Sequence, residues 1–197
     1  YKAKNAKATL VLFPGGGAKA EDTKREFDII TAATANDVSV LLMNFNGGLW
    51  IDETATKELT KDVERIFTDN KINLENTFIG GMSIGGNMAL TLSNHLSKTK
   101  NDIVPKGVFI VDSPIDLYAL YESSIKDISN PKLDEERLAE PKWIVNYFEE
   151  EFSKESLLDN IQKVSPFTVE KQHTNVPNLK NSKVLAYYKS CKNVIIS

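Results

Sequence analysis

A chain of 197 residues, 41% hydrophobic and 26% charged, has the size and composition of one soluble domain with a buried core. The formal net charge is −3 with Lys and Arg spread along the chain, so there is neither a basic stripe for nucleic acid nor a polybasic cluster for an anionic membrane. The apolar runs are strand-sized, far short of the roughly 20 residues of a membrane span, and the single cysteine, Cys191, excludes an intramolecular disulfide or a Cys-rich metal site.

Residues 9–13 are β-formers stopped by Pro14-Gly15-Gly16-Gly17, which predicts a short buried strand. Residues 21–35 carry Phe27, Ile30 and Ala33 at helical spacing. A second apolar strand is expected over 38–44, ended by Asn46-Gly47-Gly48. Residues 54–69 read as an amphipathic helix, with Leu59, Val63, Ile66 and Phe67 on one stripe. Residues 76–80 predict a third strand, 84–95 a helix, and 106–111 a fourth strand. Residues 115–162 read as mostly helical and irregular, with Pro131 and Pro141 as breakers. A fifth strand is expected over 183–188, and 194–196 begins a sixth.

Strands alternating with helices predict β-α-β units and a parallel sheet covered on both faces. The expectation is a three-layer α/β fold, a mostly parallel central sheet with flanking helices and a helical insertion before the last strands. It is read as a single domain over 1–197, with about 115–165 as a candidate cap over the site.

The chemistry concentrates at Gly81-Met82-Ser83-Ile84-Gly85. This Gly-x-Ser-x-Gly run directly follows a strand and precedes a helix, the context in which a serine is lifted above a sheet on a sharp turn. Side chains two residues before and after such a serine would collide, and glycine avoids this. The helix N-terminus favours negative charge developing at the serine. The spacing matches neither a P-loop nor the Gly-x-Gly-x-x-Gly of a dinucleotide fold. Pro14-Gly15-Gly16-Gly17, after the first strand, is the second signal. Acyl transfer needs preorganised N–H donors for a tetrahedral oxyanion. The candidates are the N–H of Ile84 and that of Gly15 or Gly16.

With these motifs and the segment Val111-Asp112-Ser113-Pro114-Ile115-Asp116-Leu117 after the fourth strand, the chain resembles the α/β-hydrolase family over residues 9–188, in particular its esterase- and lipase-like members. The resemblance implies Ser83 as nucleophile, a small ester or acyl substrate, and no cofactor or metal. The family's order is nucleophile, acid, histidine. Asp112 is the best acid at the carboxyl edge of the sheet, with Asp116 as a weaker alternative. His95 lies twelve residues after Ser83 on the same helix, roughly 18 Å of rise away, which excludes it as a base. His173 precedes the fifth strand and reads as an exposed loop residue. Lys189-Ser190-Cys191-Lys192-Asn193, after that strand, holds no acid or histidine. The expectation is therefore that the catalytic histidine lies in a segment outside this sequence. The alternative is a non-catalytic binding domain that keeps the hydrolase scaffold. Trp50, with Phe45 and Leu49, follows the second strand and is a candidate pocket wall. Trp143, Tyr147, Phe148 and Phe152 form an aromatic helical stripe read as packing. Composition carries no sign of oligomeric state or compartment.

Overall fold

The structure, a computed structural model, describes residues 1–44, 47–188 and the backbone of 194–196. In chain order it contains β1 (Ala8–Phe13), α1 (Ala20–Glu26), α2 (Ile29–Ala35), β2 (Val38–Leu42), α3 (Glu53–Asp69), β3 (Thr77–Met82) and α4 (Ile84–Thr99). There follow β4 (Pro105–Val111), α5 (Leu117–Ile128), α6 (Glu135–Glu151), α7 (Leu157–Val164), β5 (Phe167–Thr168), β6 (His173–Thr174), β7 (Lys183–Tyr187) and β8 (Val194–Ile196). The chain divides into two compact units, Tyr1–Ser113 with Val176–Ser197, and Pro114–Asn175.

The first unit is built on a sheet of order β2-β1-β3-β4-β7-β8. The first five strands are parallel, and β8 runs antiparallel to β7. Thr9 through Phe13 of β1 are all buried, each large apolar side chain contributing about 1.5–3 kcal/mol. α3 starts where the Asp52 carboxylate accepts the Ala55 N–H at 2.7 Å, a cap worth about 1 kcal/mol. It then buries Thr56, Thr60, Val63 and Phe67 along one stripe. α4 buries Met88, Ala89, Leu92 and Leu96 and packs on β3, β4, β1 and α3.

The order of connection locates the functional edge. The chain leaves β1 toward β2, then returns past β1 to β3 and continues outward to β4. Right-handed crossovers put α1 and α2 on one face and α3 and α4 on the other, giving the expected three layers. The direction reverses between β1 and β3, and ligands of open α/β sheets bind at the carboxyl ends of strands at such a reversal. Both glycine motifs sit there.

Three expectations are corrected. Residues 21–35 are not one helix: Phe27 takes extended angles (φ −124°, ψ 125°), which end α1, and its ring stays exposed. Pro141 does not break α6 but lies inside it. A mid-helix proline costs about 3 kcal/mol, offset here by burial of Leu138, Ile144, Val145 and Phe148 on the same helix. Coverage of both sheet faces holds for β1 but not for β7, whose residues alternate exposed and buried. Leu185 and Tyr187 are 49% and 52% exposed. Leu185 lines, with Phe78 and Phe109, an open groove of about 730 Å³ on one face of β3-β4-β7.

The second unit packs α5 against α6 and α7. Its antiparallel hairpin β5-β6 was not foreseen from sequence. Buried Ser165 ties the unit together: its hydroxyl accepts the Leu117 N–H at 2.8 Å and donates to the Phe167 carbonyl at 2.6 Å.

Candidate active site

Ser83 sits at the junction of β3 and α4 with φ 51° and ψ −130°. That region is nearly closed to residues with a side chain. The residue is exposed, and its hydroxyl makes no capping bond to the helix it precedes. Its backbone is fixed instead, with the N–H donating to the Val111 carbonyl at 2.8 Å and the carbonyl accepting the Gly86 N–H at 3.0 Å.

The flanking glycines are required by close approach. A Cβ on Gly81 would enter the Gly85 carbonyl group, and one on Gly85 would strike the Pro14 and Phe13 carbonyl oxygens. Both obstacles are backbone, so neither can move aside cheaply. The second contact also brings the first turn of α4 onto the end of β1, and with it the glycine loop onto the serine. A Cβ on Gly15 would stand 3.6 Å from that of Ser83. The loop closes in a turn in which the Ala18 N–H donates to the Gly15 carbonyl at 3.2 Å. Gly17 carries the positive φ of 76° that the third position of a type II turn demands. Gly15 is half-buried and Gly16 exposed.

Ile84, buried, is the first residue of α4. Its N–H has no partner within the helix, as for the opening residues of any α-helix. The helix dipole adds partial positive charge beside the serine.

Asp112 follows β4 and is exposed with φ 46°. The pairing of Met82 with Val111 makes Ser83 and Asp112 the next residues beyond two adjacent strands, which run about 4.8 Å apart. Asp116 is committed elsewhere. One carboxylate oxygen accepts the Ala119 N–H at 3.0 Å as the cap of α5, and the other accepts the Val169 N–H at 2.8 Å. Trp50 is half-buried between buried Leu49 and Ile51, after the edge strand β2. Phe45 and residues 189–193 lie outside the described residues.

Neither histidine is brought to Ser83 within its own unit. His95 is half-buried on α4, more than three helical turns from the elbow. His173 lies on β6 in the second unit, exposed, its Nε2 3.1 Å from Asn175 Oδ1. Among the described residues, no group of three or more His, Cys, Asp or Glu side chains could hold a metal ion, and no helix is long and apolar enough to cross a membrane.

Sequence reasoning missed the support behind Asp112. The Tyr188 hydroxyl donates to the Ser113 carbonyl at 3.1 Å, and the Asp112 N–H to the Tyr187 carbonyl at 2.8 Å. Nothing local signals bonds between residues so far apart in the chain.

No protein-family pattern and no curated protein matches this sequence. Solved structures do match. A carboxyl esterase from the mycorrhizal fungus Tuber melanosporum superposes with a TM-score of 0.62 at 14% identity, over 95% of this chain and 59% of that one. The mature lipase of Bacillus licheniformis gives 0.54 at 14% identity, over 93% and 66%. A putative esterase from Staphylococcus aureus gives 0.55 at 13% identity, over 94% and 58%. This chain thus spans less than two thirds of the length of each of these structures. It has the α/β-hydrolase fold.

Proposed function

Taking that fold as the premise, we propose that the protein is a serine hydrolase that cleaves small carboxylic esters through an acyl-enzyme on Ser83. One observation carries the reading: an exposed serine in a strained backbone conformation, at a helix N-terminus, with a glycine loop against it at the reversal of the sheet. A residue meant only to cap a helix would place its hydroxyl on the helix N–H groups and would have ordinary angles.

In the proposed reaction the Ser83 hydroxyl loses its proton to a histidine and its oxygen attacks the ester carbonyl. The resulting oxyanion accepts hydrogen bonds from the N–H groups of Ile84 and of Gly15 or Gly16. The tetrahedral adduct collapses, the C–O bond to the alcohol breaks, and the histidine returns the proton to the departing alcohol. Water then releases the acid by the same steps. Asp112 orients the histidine and stabilises its charged form, and Trp50 contributes a wall of the acyl pocket.

A binding domain on a hydrolase scaffold is the second reading. It is favoured by the placement of His95 along α4, more than three helical turns from Ser83. The test is a fluorophosphonate probe on the full-length protein beside its Ser83→Ala variant. The hydrolase reading expects covalent labelling of the first and none of the second. A folded, full-length sample that fails to label would overturn it in favour of binding.

A further inference from the structure

We propose that Tyr188 is a positioning residue for Asp112; the inference rests on the hydrolase reading, in which Asp112 is the acid. Asp112 holds φ at 46°, a left-handed conformation that aspartate tolerates better than most residues with a side chain and that its surroundings here select. The constraint comes from the two neighbouring strand ends. The peptide group joining Val111 to Asp112 is bonded on both sides: its carbonyl accepts the Ser83 N–H at 2.8 Å, and its N–H donates to the Tyr187 carbonyl at 2.8 Å. One peptide plane therefore links the position of the nucleophile to that of the acid.

That plane fixes only the N-terminal side of Asp112. The other side is held through Ser113, whose carbonyl accepts the Tyr188 hydroxyl at 3.1 Å. Ser113 is also buried, with its hydroxyl donating to the Val111 carbonyl at 3.3 Å. Its side chain occupies the space that a Cβ on Gly86 would take, so it cannot shift toward α4. The chain is thus anchored on both sides of Asp112, at the 111–112 peptide by Tyr187, the last residue of β7, and one residue further on, at the Ser113 carbonyl, by Tyr188, which together restrict the backbone angles open to Asp112. The direction in which its Cβ projects toward the site follows from that restriction. Tyr188 touches neither substrate nor proton in this scheme; it acts through the backbone of Asp112.

The test uses full-length protein and the variants Tyr188→Phe, Asp112→Asn and the double. Removing one hydroxyl keeps the aromatic ring, so the melting temperature stays within a few degrees. Two readouts are expected to move. Hydrogen exchange of the Asp112 amide accelerates about tenfold in Tyr188→Phe as local opening becomes easier. Fluorophosphonate labelling of Ser83 slows about tenfold, but Tyr188→Phe adds nothing once Asp112→Asn is present, the non-additivity of residues acting as one unit. An unchanged Asp112 exchange rate would overturn the proposal. So would an equal slowing in the Asp112→Asn background, which would mean a general effect on the fold. Absence of labelling in the unsubstituted protein would instead remove the hydrolase reading, and the exchange rate would still decide whether Tyr188 holds Asp112.

Discussion

Ser83 is held at φ 51°, ψ −130° against the preference of any residue with a Cβ, at a cost of order 1–3 kcal/mol. What pays for it is the packing of α4 on β3 and the bonds to Val111 and Gly86. If the conformation is strained, glycine should relieve it and alanine should not. Ser83→Gly is therefore expected to be more stable than Ser83→Ala by about 1 kcal/mol after allowing for the entropy glycine loses on folding. In a chain of this size that corresponds to about 2–4 °C in melting temperature. Equal melting temperatures for the two variants would mean that the backbone is unstrained. The elbow was legible in the sequence because Gly81 and Gly85 face backbone atoms and admit no other residue. The left-handed turn at Asp112 was not, since aspartate accepts that conformation without requiring it. Nor was the bond from Tyr188 to Ser113, which joins distant parts of the chain.

At the scale of elements, the long amphipathic patterns translated well. The stripe of Val63 and Phe67 became the buried face of α3, and Asp134 caps α6 by accepting the Arg137 N–H at 3.0 Å. Two-residue strands such as β5 and β6 are too short to carry a period and were missed. The aromatic stripe of α6 proved to be two things. Phe148 is fully buried and meets Tyr121 of α5 edge-on at 5.8 Å, whereas Trp143 is exposed and leans on Tyr147 at 5.6 Å. Tyr121 also donates to Glu149 at 3.3 Å. Burial first, and then the Glu149 charge, raise the pKa of the phenol. The folded state therefore holds this proton more tightly than the unfolded chain, whose tyrosines titrate near about 10. Stability from this group is full below that pH and is lost as pH rises above it. Urea midpoints measured at neutral pH and near pH 11 should fall less on the alkaline side for Tyr121→Phe than for the unsubstituted protein. An identical alkaline fall in both would remove Tyr121 as the cause.

For the whole molecule, strand order and the position of the site followed from one another. Alternating elements imply a parallel sheet, and a parallel sheet binds ligands at its reversal, which is where both glycine motifs fell. What alternation could not reveal was how much of the sheet is covered. A run such as Lys183-Val184-Leu185-Ala186-Tyr187 is apolar enough to suggest burial on both faces, yet only Val184 and Ala186 are buried. The other face leaves Phe78, Leu185 and Tyr187 between 41% and 52% exposed, an apolar surface of a kind uncommon on a folded monomer. The folded 197-residue chain should therefore bind a hydrophobic dye such as anilinonaphthalene sulfonate at neutral pH, before any unfolding. Leu185→Lys and Phe78→Lys replace exposed groups, so they should leave the melting temperature within a few degrees while lowering the dye signal by about half or more, in proportion to the apolar surface removed. A native chain that leaves the dye dark, or a signal indifferent to both substitutions, would show that this face is covered in solution.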